Sequence, residues 1–404
     1  MATSVLSVLL FFLAMLVVAL LLEPVATRWR LPYPALLVLV GFAGSEALVA
    51  AGIDTGLRWD GFRDLVFYVL LPLLVFEAAL RIEIEDLLAD WLAILLLALP
   101  LLLVAVGITA AVLYFGIAHP TGFPWVAALL AGAVLSATDP GAVLAQLRRL
   151  PQLGRLGNIL QGESLFNDAL AIVLFAVLVA MATDAERVPG FGAATLNILV
   201  IFSGGVLLGG GLGFIARRLW QWLGAAPQRG ALMLACALGG YWLAEGVFKV
   251  SGVMAVLVAG LLLNARVREA AQPERQALLA LWRHHAFVAD ALLFVLLGIT
   301  LRLALLTEQW IAVLLGIGAV LTARAVVIYA GLWLAGKLGR APALPMNERT
   351  LAFLGGARGA TTVALILSLP AGLSYDYTLQ AIVYGVVLFT LFVQAPLVLR
   401  YSAK

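Results

Sequence analysis

The chain reads as long apolar runs parted by short polar joints. Runs near 4–22, 32–51, 62–80, 91–117, 123–147, 158–183, 194–221, 230–247, 250–264, 284–305, 309–336, 350–370 and 377–399 come close to, or exceed, the roughly 20 residues a helix needs to cross a hydrocarbon core about 30 Å thick. The pattern predicts an all-α polytopic membrane protein of about 13 transmembrane helices. No joint is long enough for a soluble domain, so residues 1–404 are expected to form a single membrane domain without a regulatory tail. The first run has no basic residue before it and no small-residue cleavage site, so it reads as a retained span and not a leader.

Composition agrees with the pattern: 64% of the 404 residues are hydrophobic and 12% are charged, far from the balance of a water-soluble domain. The single cysteine, Cys236, excludes an internal disulfide and a cysteine metal cluster. His119, His284 and His285 fall near span ends, where a solvated imidazole is expected. Of the 25 Lys and Arg, 18 lie in one set of alternate joints, five in the other and two inside spans. By the positive-inside rule the N-terminus is external and the C-terminus cytoplasmic. The same bias accounts for the basic balance without a nucleic-acid partner.

A charge near the bilayer centre costs at least about 2.5–3.5 kcal/mol, so it faces a cavity or a partner. The deep ionisable residues are Glu77, Asp139, Glu163, Asp168, Arg324 and Arg358, with Asp290 and Glu245 nearer span ends. Carboxylates outnumber guanidiniums, which favours a cation site.

In "SATDPGAVL" (136–144) Pro140 offers no N–H to the carbonyl of Ser136 and biases Asp139 away from helical ψ. The fifth span is therefore expected to open around 137–141, and open backbone at membrane depth survives where it lines a cavity or is buried in protein. In "GESLFND" (162–168) Ser164 and Asp168 share one helix face, and Glu163 and Asn167 the adjoining one. In "GGARGATT" (355–362) glycines surround Arg358, and a second interruption is expected in span 12. Spans 5 and 12 are seven apart and so oppositely oriented. Residues 1–183 and 230–404 then read as inverted repeats of six helices joined by span 7 within 184–229, with matching interruptions marking a transporter's midplane site.

These segments, together with "LLPLLVFEAAL" (70–80), "SGVMAVLVAGLLLN" (251–264) and "LLFVLLG" (292–298), resemble sodium/proton antiporters of the NhaP and NHE type, from about residue 30 to 395. The resemblance implies a homodimeric exchanger in which two broken helices cross beside the ion. It implies that Asp168 carries ion and proton, that Asp139, Thr138 and Ser164 complete the cation shell, and that Glu163 pairs with Arg324. Arg358 matches the family's buried "GxRG" arginine, and Asn167, where an electrogenic branch has aspartate, implies electroneutral exchange. Phe166 and Ala357 stand where leucine is frequent in the family. The short C-terminus suggests a prokaryotic protein of the inner (plasma) membrane.

The residues themselves give compatible chemistry. A carboxylate withdrawn from water is stabilised by a proton or by a metal ion, so the two compete at Asp168. Hard oxygens from Asp168, Asp139, Ser164 and the Thr138 carbonyl suit a small hard cation such as sodium or lithium. No resident cofactor is expected beyond the transported ions. Arg358 is placed to offset the negative ends of interrupted helices, and Glu163 with Arg324 reads as a structural pair. Glu77 either borders the cation path or answers Arg81 one turn away. Potassium/proton exchange on the same fold stays open as an alternative. An intramembrane aspartyl protease is disfavoured by the absence of a "GxGD" element, and a channel would pass current.

Overall fold

The computed structural model describes residues 5–29, 31–50, 64–82, 84–117, 122–141, 143–144, 154–183, 191–337, 344–370, 372–373 and 375–401. Helix is the only regular structure among them. We label the principal helices α1 (Val5–Trp29), α2 (Tyr33–Ala50), α3 (Leu71–Arg81), α4 (Leu102–Gly116), α5 (Trp125–Ser136), α6 (Gly154–Thr183) and α7 (Phe191–Trp220). The second half contributes α8 (Ala226–Trp242), α9 (Gly252–Glu269), α10 (Gln272–Thr300), α11 (Trp310–Ala325), α12 (Met346–Leu354), α13 (Ala360–Ile366) and α14 (Asp376–Phe389). Among the described residues eight helices are long and apolar enough to cross a membrane, and two shorter apolar ones cover Tyr33–Ala47 and Trp125–Ser136.

Several helices are longer than their apolar runs. α1 continues through Pro24 to Trp29, past the expected end at 22. α6 begins at Gly154, and α10 begins at Gln272 with Pro273 in its first turn. The polar stretch "QPERQALLALWRHH" keeps strong helix formers on a partly exposed surface, so the backbone stays helical where hydropathy has already fallen. Wide π turns interrupt other segments at Val66–Leu70, Leu97–Leu101 and Thr390–Gln394. Pro72, Pro100 and Pro396 lie within or just after these turns, where each removes an N–H from the helical ladder and forces the local register to shift.

Helices pack closely where glycines face each other. A Cβ at Gly298 would lie 2.2 Å from the Val38 carbonyl oxygen, and one at Gly41 2.4 Å from that of Val295. Backbones of α2 and α10 thus touch, as membrane helices do when small residues line the crossing. α7 meets α9 in the same way: a Cβ at Gly209 would stand 2.4 Å from the Ala255 oxygen. The core between these layers includes Phe76 stacked on Trp282 at 4.4 Å between ring centroids.

Candidate functional site

Two helix interruptions meet at the centre of the site. α5 stops at Ser136, and Ala137, Thr138, Asp139 and Pro140 are non-helical, with Ala137 extended. α12 and α13 are separated by the irregular stretch 355–359, with Gly359 also extended. The Asp139 N–H donates to the Ala357 carbonyl at 2.7 Å, joining one interruption to the other. The approach depends on glycine: a Cβ at Gly359 would sit 2.5 Å from Asp139 Cβ. Both openings occur where proline and glycine placed them in the sequence, and the opened backbone groups find partners inside the protein.

Arg358 bridges the same crossing. Its Nη1 donates to the Ala137 carbonyl at 3.3 Å, at the end of α5 where helical carbonyls lack intrahelical donors. Its own N–H donates to Thr390 Oγ1 at 3.2 Å. Thr362 Oγ1 adds donation to the Val134 and Ala137 carbonyls, both at 3.3 Å.

The opposing wall is α6. Ser164 Oγ donates to the Thr138 carbonyl at 2.5 Å, and Asn167 Nδ2 lies 3.4 Å from Thr138 Oγ1 and 3.3 Å from Glu163 Oε1. Asp168, one residue on, accepts from Thr361 Oγ1 at 2.7 Å through Oδ2. Helical spacing sends Ser164 and Asp168 to the face that meets the interruptions, and Glu163 and Asn167 to the next. Thr361 was named in the sequence only as part of its motif. The signal that would have found it is a hydroxyl in the first turn of a half-helix that restarts beside a buried carboxylate.

Asp139 and Asp168 are differently held. Asp139 Oδ1 accepts from the Gly141 N–H at 2.8 Å, capping the chain as it resumes helix. Asp139 is exposed and Asp168 partly so, so neither is sealed inside the protein. Their charges interact with one another, and Asp290 of α10 and Glu77 of α3 border the same electrostatic neighbourhood together with Arg81. Glu77 itself is buried and bonded to Arg81 one turn on.

Behind Asn167 the charges are buried. Glu163 and Arg324, 2% and 7% exposed at their side chains, form an ion pair through Nη1 to Oε1 and, at 3.3 Å, Nη2 to Oε2. Arg324 Nη2 also donates to the Ala352 carbonyl at 3.0 Å near the end of α12, tying α6, α11 and α12 together. A cavity of about 20 Å³ borders Thr138, Glu163, Asn167, Arg324 and Arg358. Among the described residues, Asn167 Oδ1, Arg324 Nε and Arg358 Nε are buried there without a hydrogen-bond partner. Thr138, Asp139, Glu163, Ser164, Asn167, Asp168, Arg324 and Arg358 thus gather around the crossing, while Glu77 lies on α3 with Arg81.

Residues 12–401 match the family described as "Sodium/hydrogen exchanger, transmembrane". The chain belongs to this family. Within the sodium/hydrogen exchanger family it is of the NhaP type. It is 32% identical over 383 residues, 93% of its length and 70% of the relative's, to the low-affinity Na(+)/H(+) antiporter NhaS1 of Synechocystis sp.. To the Na(+)/H(+) antiporter NhaP of Pseudomonas aeruginosa it is 32% identical, with 86% of this chain and 83% of that one covered. Its fold matches that of the sodium proton antiporter MjNhaP1 from Methanocaldococcus jannaschii with a TM-score of 0.81, over 98% and 100% of the two chains at 19% identity. This exchanger-family chain is therefore a multi-pass membrane transporter and not a member of a catalytic enzyme family.

Proposed function

We propose that the protein exchanges sodium, or lithium, for a proton across a prokaryotic cell membrane, one cation per proton, by alternating access. The observation that carries this reading is the junction of two interrupted helices at Asp139 and Ala357, with Asp168 and its Thr361 partner beside it, Asp139 exposed and Asp168 partly so. Homologues named as sodium/proton antiporters support sodium as the cation. The potassium alternative draws no support from those names.

Asp168 is assigned as the group that takes either ion. Its carboxylate is held by one hydroxyl and leaves its other oxygen to a cation, while Asp139, the Ser164 hydroxyl and the Thr138 carbonyl supply further hard oxygens within the same crossing. Sodium binding displaces the proton because both need the one carboxylate. The site carries the same net charge with either ion bound, one less negative than when empty, so only the loaded protein crosses readily. Asn167 adds no charge, and one positive charge moves in each direction per cycle. Glu163 with Arg324 anchors the wall, and Arg358 offsets the open carbonyls of α5.

The architecture assigned to this cycle has about 13 helices, inverted repeats 1–183 and 230–404, and a connecting span within 184–229. The N-terminus is external and the C-terminus cytoplasmic, two copies form a homodimer, and no resident cofactor takes part. Everted membrane vesicles test the reading. With a respiration-driven proton gradient and a pH-sensitive dye, adding sodium should dequench fluorescence, and clamping the membrane potential with valinomycin and potassium should leave the rate unchanged. A response to potassium but not sodium would reject the cation assignment, and a strong dependence on potential would reject one-for-one exchange.

A further inference from the structure

The end of α7 carries charge that the exchange cycle does not use. Arg217 and Arg218 of α7, Arg266 of α9, and Gln221, Phe214 and Leu262 surround a cavity of about 470 Å³. Of these three arginines only Arg266 is paired with a carboxylate among the described residues, through Nη1 to Glu269 at 2.7 Å, and its buried Nε has no hydrogen-bond partner. The guanidinium of Arg218 lies 5.3 Å from the Phe214 ring centre. Three guanidiniums against one carboxylate leave two positive charges facing one cavity.

The surface leading to this cavity is apolar and runs the length of the helix. Leu196, Val200, Leu207 and Phe214 are exposed, Leu207 by 76%. Their spacings of four, seven and seven residues put them on one helical face, and four residues further on that face lies Arg218. Trp222, 86% exposed, follows the helix end, where an amphipathic ring anchors at the headgroup level. An arginine-lined cavity at the end of an acyl-length apolar track has the shape of a phospholipid.

We propose that this cavity binds the phosphate headgroup of an anionic phospholipid, whose chains lie along the Leu196–Phe214 face of α7. Arginine suits the task because its planar fork matches phosphate oxygens. Each basic residue near an anionic headgroup is worth about a fivefold factor in binding, so removing two costs about thirtyfold.

The test is native mass spectrometry of the full-length protein in mild detergent, titrated with phosphatidylglycerol, with phosphatidylcholine, or with inorganic phosphate. Wild type should retain phosphatidylglycerol in preference to phosphatidylcholine, and neither inorganic phosphate nor a neutral lipid should displace it. R217Q/R218Q should retain it about thirtyfold less tightly. The exposed single variant R218Q, which leaves the helix packing untouched, should lose about fivefold and covers the case in which the double variant does not fold. Equal retention by wild type and R218Q would overturn the proposal. So would displacement by inorganic phosphate at equal concentration, which marks a free-anion site. A shift from dimer to monomer with unchanged lipid count would also overturn it, by assigning this face to a second copy.

Discussion

Removing Glu163 isolates a buried guanidinium. In wild type Arg324 holds both oxygens of Glu163 and the Ala352 carbonyl, and Glu163 Oε1 also lies 3.3 Å from Asn167 Nδ2. Glu163→Ala leaves Arg324 with one neutral acceptor while 7% exposed, and leaves Asn167 without that acceptor. Breaking one side of a buried pair costs about 3–5 kcal/mol, roughly 6–10 °C in apparent melting temperature at about 2 °C per kcal/mol. The double variant Glu163→Ala/Arg324→Ala removes both charges and forfeits chiefly packing and the bond to Ala352, a loss of about 1–3 kcal/mol. The double variant should therefore melt above the single one. Fluorescence-detected gel filtration after heating detergent-solubilised protein reads the order directly. If Glu163→Ala alone melts with wild type, or if the double variant melts at or below the Glu163→Ala variant, the pair is not the anchor described.

Two further outcomes follow from contacts at the crossing and in the packing. Thr361→Val removes the 2.7 Å donation to Asp168, and because hydrogen bonds to a charged group are worth about 1.5–3 kcal/mol, sodium should compete with protons at least about tenfold more weakly in the vesicle assay, with Thr361→Ser restoring it. Unchanged apparent affinity would detach Thr361 from the site. Gly298→Ala places a methyl group 2.2 Å from the Val38 oxygen, whereas Gly44→Ala meets nothing within 4 Å. The first should cut folded yield sharply, by about 1–3 kcal/mol or more of overpacking, and the second should not. Similar yields would contradict the close approach of α2 and α10.

Much of this site is local chemistry and was therefore legible. Pro140 marks its own helix break because the missing N–H acts within one turn. Gly355, Gly356 and Gly359 mark theirs because they weaken the helix in place. Ser164 and Asp168 share a face by helical period alone. What local rules do not supply is which carbonyl an opened N–H will meet: that the Asp139 N–H bonds Ala357 depends on a contact across 218 positions. Thr361 was missed for the same reason, since its role exists only once α13 restarts against α6. Helix ends drifted most where polar helix formers extend an apolar run, as in α10, because hydropathy registers the membrane and not the backbone. The His119 reading and part of the connection after Leu144 lie outside the described residues.

The account turns on one carboxylate being held alternately by sodium and by a proton. Adding sodium to purified, weakly buffered protein and counting the protons released tests that most directly. Wild type should release close to one proton per sodium bound when the site starts protonated, and Asp168→Asn should release none while remaining folded. Equal release from the Asp168→Asn protein would contradict the assignment.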